Sequence, residues 1–383
     1  MKIGLLGIGT VGSGVLEQLA GREDIAVKRV LARRDRPELG AKQTHRFEDI
    51  LDDPEIDTVV EVMGGMHPAY EYVLRALQAG KNVVTANKLM LSHHFEELLN
   101  AARRSGVQLR FDASVGGGIP YLYNLMRTSR ADTIRSLSGI VNGTTNLILD
   151  TMQTSGADFA DVLAQAQRAG YAEADPSSDI DGLDARAKLC ISASIAFGRY
   201  VDPEDISVAG IRSISREDIM TFKKLGYVCR LLVRAERLDC DRFCAFIEPT
   251  LLGPGEQEAA VRRNDNLIAL VGHRVGLQSF FGQGAGKDPT AFSVVMGLTD
   301  ILGHVDPLEG RLPEGRATVD NSLLAHRYYV RTTSRLGIAA EKLRGGGDAN
   351  IYLTSPIPVD RMHALAASLR MRDPNLFFAG VRG

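Results

Sequence analysis

The sequence predicts an α/β protein built from a doubly wound parallel sheet, a second α/β domain and a small α+β tail. Apolar strands alternate with helical patterns through the first third of the chain. The middle region combines strand-like runs with amphipathic helices, and a stretch rich in glycine, proline and charge precedes the tail. The predicted parts are residues 1–130, residues 131–287, helix 288–302 packing back on the first domain, linker 303–321 and tail 322–383.

The composition excludes several classes of protein. The chain has 383 residues, of which 44% are hydrophobic, and a formal net charge of −2. This balance gives no reason to expect binding to nucleic acid or to an acidic membrane surface. We find no run of apolar residues long enough to cross a membrane and no signal peptide. We therefore expect a soluble, cytoplasmic, globular protein.

A glycine-rich turn follows the first predicted strand, at residues 2–6, and a helical pattern follows the turn. Strand, turn and helix in this order are the context in which GxGxxG binds a dinucleotide. Free N–H groups and the positive dipole end of the helix would face the pyrophosphate. The sequence thus predicts a Rossmann-type domain whose phosphate-binding turn consists of Gly7, Ile8, Gly9, Thr10, Val11 and Gly12.

The end of the second predicted strand bears on the choice of nicotinamide cofactor. An acidic residue there would bind the ribose hydroxyl of NAD, but the chain has Arg33 and Arg34. Arginines suit the 2′-phosphate, so we favour NADP(H) over NAD(H). Gly64 and Lys88 follow two further strands, and ligands of an open parallel sheet bind at that edge. We assign both residues to the cofactor site, although a loop lysine is usually only solvated.

Asp184 and Lys188 stand four residues apart at the start of a predicted helix, so their side chains point the same way. Ile191 and Ile195 continue that face, which indicates that it is buried. A buried carboxylate and ammonium are costly unless they are paired or in use. Taken alone, the pair is more typical of an ordinary salt bridge on the first turn of a helix than of a site.

Six phrases in the same order resemble homoserine dehydrogenases, which interconvert L-aspartate 4-semialdehyde and L-homoserine with a nicotinamide cofactor. The resemblance runs from Met1 to about Leu302. The phrases are residues 7–12, Thr-Ala-Asn-Lys at 85–88, Ser-Val-Gly-Gly-Gly-Ile-Pro at 114–120, Asn-Gly-Thr-Thr-Asn at 142–146, the stretch 173–188, and Gly-Ala-Gly at 284–286 with Pro289-Thr290.

The resemblance implies roles for named residues. Lys188 matches the catalytic lysine of the family, Asp184 the carboxylate beside it, and Glu173 the residue that holds the substrate amino group. Lys88 resembles a lysine between nicotinamide and substrate, so the sequence leaves open which lysine moves the proton. The backbone N–H groups near Asn142, Gly143 and Thr144 could bind the substrate carboxylate.

The resemblance also implies a cation, a homodimer and a place in metabolism. Na⁺ or K⁺ would be bound by Asp112 and the carbonyls of Val115, Gly117 and Ile119, although the family has a glutamate in place of Asp112. The reaction belongs to the aspartate-derived pathway to threonine, methionine and isoleucine. The tail resembles a shortened ACT regulatory domain, with strands at 328–332, 351–354 and 376–381, helices at 335–343 and 359–369, and one strand missing.

Two other functions remain open from the sequence. A dehydrogenase that forms an acyl phosphate needs a nucleophilic cysteine, and Cys190 points away from the Asp184–Lys188 face. The second alternative is a catalytically idle NADP-binding regulatory paralogue. Retention of Lys88, Glu173, Asp184 and Lys188 favours the enzyme.

Overall fold

The computed structural model describes residues 1–239, 242–308, 313–344 and 349–382. The chain divides into two units. The first comprises Met1–Thr133, Cys190–Tyr200 and Gly282–Gly315, and the second comprises Ile134–Leu189, Val201–Phe281 and Arg316–Gly383.

The first unit is built on a parallel sheet of six strands in the order β3-β2-β1-β4-β5-β6. The chain reverses direction across the sheet between β1 and β4, as in Rossmann-type folds, which confirms the predicted fold class. Its strands are β1 (Lys2–Leu6), β2 (Ala26–Leu31), β3 (Gln43–Thr44), β4 (Thr58–Glu61), β5 (Asn82–Thr85) and β6 (Leu109–Arg110). Its first helices are α1 (Thr10–Leu19), α2 (Glu48–Leu51), α3 (Ala69–Gln78), α4 (Lys88–Ser105) and α5 (Tyr121–Ala131).

The second unit is a large mixed sheet with helices. Along the main path its strands lie in the order β12-β11-β7-β9-β10-β18-β14-β16-β15, and β8, β13 and β17 pair at the side. The strands are β7 (Ile134–Ile140), β8 (Ser207–Val208), β9 (Val228–Arg237), β10 (Arg242–Leu252), β11 (Asp265–Gly272), β12 (Gly276–Gln283), β13 (Thr318–Val319), β14 (Ala325–Thr332), β15 (Ala340–Arg344), β16 (Asn350–Thr354), β17 (Ile357–Pro358) and β18 (Phe377–Val381). The remaining helices of the chain are α6 (Gly143–Ser155), α7 (Phe159–Arg168), α8 (Ser177–Ile180), α9 (Leu183–Phe197), α10 (Arg216–Lys224), α11 (Lys287–Leu302) and α12 (Val359–Arg370).

Helix α11 packs within the first unit, although it lies far along the chain. Its residues Ala291, Val294 and Leu298 share a core with Ile3 and Leu5 of β1. A Cβ atom on Gly14 of α1 would lie only 2.9 Å from that of Ala291, so a glycine there permits the close approach of the two helices. The doubly wound sheet is thus covered in part by a helix from the far end of the sequence.

The tail differs from the expected shortened ACT domain. Its strands join the sheet of the second unit, because β18 pairs in parallel with β10 and antiparallel with β14. The helix predicted at 335–343 is wrong: residues 340–344 form β15, which pairs with β16. Gly337, at a positive φ of 73°, separates this strand from β14. The described tail therefore has a strand, β15, where its first helix was predicted, and α12 is the one helix among its described residues.

Among the described residues, none of the helices combines the length and the apolar composition that crossing a membrane requires.

Candidate active site

The Asp184–Lys188 pair lies in the first turns of α9 and is buried. Asp184 Oδ2 is 2.8 Å from Lys188 Nζ, and each residue is 7% exposed. Lys188 Nζ also donates to the carbonyl of Val141, at 2.6 Å. A buried ammonium that donates to two acceptors is held in one position. The burial separates this pair from the ordinary salt bridges of helix surfaces.

Asn142 connects the pair to a second carboxylate. Its Nδ2 donates to Asp184 Oδ2 at 2.8 Å and to Asp179 Oδ1 at 2.7 Å. Its Oδ1 accepts from the Thr145 N–H, so the same side chain caps the N-terminus of α6. Burial raises the pKa of the Asp179 carboxyl, and the charge of Asp184 adds to this effect. Three polar side chains from three segments therefore meet at the start of α6.

The start of α6 is closely packed. A Cβ atom on Gly143 would lie 2.7 Å from the carbonyl oxygen of Asn264, so only a glycine fits there without a shift of the backbone. Thr144 Oγ1 donates to the carbonyl of Tyr171, at 2.8 Å. The predicted residues Asn142, Gly143 and Thr144 thus lie beside the buried pair, at a helix N-terminus.

Glu173 is not part of this cluster as the structure places it. The residue is exposed, and its backbone carbonyl accepts from Gln167 Nε2, at 3.0 Å. No described residue is recorded in a hydrogen bond or ion pair with its carboxylate. The structure therefore brings together Asn142, Asp184 and Lys188, and leaves Glu173 in the solvent-exposed loop before α8.

The glycine fingerprint has the geometry that a dinucleotide requires. Gly7 has a φ of 101°, and a Cβ atom on Gly12 would lie 2.2 Å from the Gly7 carbonyl oxygen. Around Gly9, the N-cap of α1, no atom would come within 4 Å of an added Cβ atom, so its backbone is accessible. The turn therefore leaves room for a phosphate at a helix N-terminus, and the residues fit a dinucleotide.

The other predicted cofactor residues lie at or beyond the carboxyl ends of strands. Arg33 and Arg34 are exposed and follow β2. Gly64, with a φ of 72°, follows β4. Lys88 is the partly buried first residue of α4, next to the capping residue Asn87.

The predicted cation-binding residues include a carboxylate without hydrogen bonds. Both oxygens of Asp112 are buried, and neither has a hydrogen-bond partner in the described part of the chain. Arg110 Nη2 lies 3.5 Å from Asp112 Oδ2 and also pairs with Asp300. Burial raises the pKa of the Asp112 carboxyl, opposed by the charge of Arg110. One guanidinium and two carboxylates leave a net charge of −1 when ionised, which one monovalent cation or one proton would balance.

The carbonyl groups of this region are partly in use. Gly117 O accepts from Ser293 Oγ at 2.5 Å, and Ile119 O accepts from the Tyr121 N–H at 2.7 Å. A carbonyl oxygen has two lone pairs, so each retains one for a ligand. The residues fit a monovalent cation on these grounds. The described residues contain no cluster of three or more His, Cys, Asp or Glu side chains that could hold a metal ion.

Comparison with known proteins extends over both units. The family sequence profile described as homoserine dehydrogenase matches residues 120–302, and that for the NAD-binding domain of homoserine dehydrogenase matches residues 7–112. A homoserine dehydrogenase of Bacillus subtilis is 40% identical over 80% of this chain and 73% of its own length. The chain belongs to the homoserine dehydrogenase family.

Further relatives agree with this assignment. A homoserine dehydrogenase of Corynebacterium glutamicum is 39% identical over 88% of this chain and 81% of its own length. The crystal structure of a homoserine dehydrogenase from Thiobacillus denitrificans superposes with a TM-score of 0.88 at 34% identity, covering 100% of this chain and 98% of that one. The family is one of NAD(P)-dependent oxidoreductases, so this chain is an enzyme of that class.

The comparisons bear on the idle paralogue, and the burial of Cys190 bears on acyl-phosphate formation. The comparisons give no support to an idle paralogue. Acyl-phosphate formation needs an accessible thiolate, but Cys190 is 1% exposed and its Sγ lies 3.5 Å from the Ser92 carbonyl oxygen. The cysteine therefore has a structural position inside α9.

Sequence reasoning did not assign a role to three residues at these sites. Asp179 was only one of several acids in its loop, and its link to Asp184 runs through Asn142, 37 residues earlier. Glu61 and Thr85 end the neighbouring strands β4 and β5 and are both fully buried. A charged residue that ends an otherwise apolar parallel strand is the signal that could have identified Glu61.

Proposed function

We propose that the chain interconverts L-aspartate 4-semialdehyde and L-homoserine, with Lys188 and Asp184 at the reaction centre. The buried pair, joined by Asn142 to Asp179, is the observation that carries the proposal. When bound, the nicotinamide supplies or accepts the hydride. The protein must then stabilise the negative charge that develops on the carbonyl oxygen, and provide a proton for it.

Lys188 can do both. Asp184 pairs with the ammonium and the Val141 carbonyl fixes its position, so the group is in place before the reaction. In the direction of reduction the ammonium would stabilise the alkoxide, and a lysine would give it a proton. We propose Lys188 for the first task and leave the proton to either Lys188 or Lys88.

The acids and the α6 N-terminus suit an amino-acid substrate. The substrate carries an ammonium and a carboxylate. Asp179 and Glu173 would attract the ammonium, and backbone N–H groups at Gly143 and Thr144 would receive the carboxylate. Glu173 is exposed, so its side chain would have to turn toward the substrate to make this contact.

We further propose NADP(H) as the preferred cofactor and Na⁺ or K⁺ as a structural ligand. The two exposed arginines after β2 support the first, because a 2′-phosphate adds two acceptor-rich negative charges there. The buried carboxylate of Asp112, whose oxygens accept no hydrogen bond from the described residues, supports the second. The cation would be held by Asp112 and the carbonyls of Val115, Gly117 and Ile119, and would balance the excess negative charge beside Arg110.

A homodimer is the proposed assembly. Strand β12 forms one end of the second sheet, and Leu277 and Phe281 on one of its faces are 56% and 62% exposed. Large apolar side chains on an edge strand are typical of a surface that another chain covers.

A cytoplasmic location stays a prediction.

The proposed function is tested by following reduced nicotinamide absorbance with the purified enzyme, L-homoserine and either NADP⁺ or NAD⁺. We expect absorbance to rise with homoserine and kcat/KM to be higher with NADP⁺. D-homoserine is the control, since it reverses the positions of ammonium and carboxylate. Binding of the dinucleotide without any homoserine-dependent change would contradict the proposal.

A further inference from the structure

Glu61 is a carboxylate buried at the end of β4. The residue is 0% exposed and accepts from Thr85 Oγ1 at 2.6 Å and from the Met63 N–H at 2.8 Å. Burial raises the pKa of its carboxyl, partly offset by these donors. No described lysine or arginine is recorded in an ion pair with it. Burying an acid among neutral donors is costly, so an aliphatic residue would suit the sheet better.

The carboxylate organises the ends of two neighbouring strands. Glu61 and Thr85 are paired residues of β4 and β5 and are the last residue of each. Thr85 Oγ1 donates to Glu61 and also accepts from the Asn87 N–H, at 3.0 Å. The hydroxyl is therefore a link with a defined direction, from the Asn87 backbone to the Glu61 carboxylate.

Asn87 passes this order on to the loop after β4 and to α4. Its Oδ1 accepts from the Met90 N–H at 3.1 Å and caps the helix, while its Nδ2 donates to the Gly65 carbonyl at 2.7 Å. Lys88 is the next residue and the first of α4. Two strand ends, the loop containing Gly64 and the start of α4 are thus joined in one hydrogen-bonded network.

We propose that Glu61 and Thr85 are positioning residues, which act through Asn87 to set the place of Lys88 at the nicotinamide edge of the sheet. The inference rests on the proposed role of Lys88. It explains a buried acid that neither packing nor ion pairing accounts for. Glu61 would touch no reacting group. Its effect on the reaction would pass through Thr85 to the Asn87 backbone.

The test is a double-mutant cycle with Thr85→Val and Lys88→Met. Valine keeps the shape of threonine but removes the hydroxyl. We expect Thr85→Val to lower kcat about 10- to 100-fold with dinucleotide affinity retained, since small displacements of a catalytic group have effects of this size. Thr85→Ser keeps the hydroxyl and should restore turnover. In the Lys88→Met background, Thr85→Val should lower kcat further by less than about twofold, because the effects of coupled residues are not additive.

Glu61→Gln is a second variant in case Thr85→Val does not fold. The amide nitrogen of the glutamine would place a second donor against the Thr85 hydroxyl. We therefore expect kcat to fall, as it does in Thr85→Val, and KM for homoserine to change less. An equal loss from Thr85→Val with and without Lys88 would overturn the inference alone. Wild-type turnover by Lys88→Met would overturn the role of Lys88 and the inference with it. Wild-type turnover by both Thr85→Val and Glu61→Gln would also overturn the inference.

Discussion

At the scale of residues, the proposed reaction centre depends on contacts of two kinds. Asp184 and Lys188 are four residues apart, so helical geometry alone predicts that they meet. The contacts of Lys188 with Val141 and of Asn142 with Asp179 join residues 47 and 37 positions apart. No local pattern in the sequence specifies such contacts, because they depend on how β7, α6 and α8 pack. The pair was therefore predictable, and the second carboxylate, Asp179, was not.

Asp179→Asn tests the contribution of the Asp179 carboxylate. The substitution removes a negative charge that would face the substrate ammonium. We expect KM for L-homoserine to rise about 10- to 100-fold, the effect of losing one charge-assisted hydrogen bond, and kcat to change less. Steady-state kinetics at saturating dinucleotide measures both constants. The matched control is Asp175→Asn in the exposed loop just before α8, which should keep a wild-type KM. An unchanged KM in Asp179→Asn would contradict this role.

At the scale of elements, local signals were strong where glycines or helix caps fix the backbone. The turn from β1 into α1 follows from Gly7 and Gly12, since both need the absence of a side chain. The strand β15 was mistaken for a helix, because its pairing with β16 is made across the sheet and its residues do not favour strands by themselves. Tail pairing with β10 likewise depends on tertiary structure.

A buried carboxylate connects three elements of the second unit. Glu248 of β10 accepts from His326 Nε2 of β14 at 2.8 Å and from His363 Nε2 of α12 at 3.1 Å, and Tyr328 OH lies 3.3 Å away. Burial pushes its pKa upward, but the hydrogen bonds and charges of the two histidines outweigh this, and the pKa is lowered from 4.5. The carboxylate form is thus favoured by the fold.

Glu248→Gln should lose stability in a pH-dependent way. A folded-state pKa below the unfolded value of 4.5 stabilises the fold above that pH, and the contribution is lost as pH falls through the folded-state pKa. We expect the variant to be less stable by about 2 kcal/mol at pH 7, the value of a buried charge-assisted hydrogen bond. The difference should shrink in acid. Denaturant unfolding at several pH values measures it, with exposed Glu341→Gln as the control. A difference that does not vary with pH would contradict this account.

At the scale of the whole molecule, the order of six phrases carried the family assignment, and the relatives confirm it. The Rossmann-type sheet followed from its alternating strands and helices. The single twelve-stranded sheet of the second unit did not, because the strands at one of its ends come from a tail whose sequence resembles a separate domain. Sequence reports the chemistry of the chain well, since catalytic side chains and glycines are individually required. It reports long-range strand order poorly.

The most direct test of the central claim is the turnover of Lys188→Met in the homoserine-dependent reduction of NADP⁺. We predict a fall in kcat of about 100-fold or more, because the variant lacks the positive charge that stabilises the alkoxide. Dinucleotide binding should be unchanged. Lys224→Met, an exposed lysine in the same unit, should turn over like the wild type. Wild-type turnover by Lys188→Met would contradict the claim that the Asp184–Lys188 pair is the reaction centre.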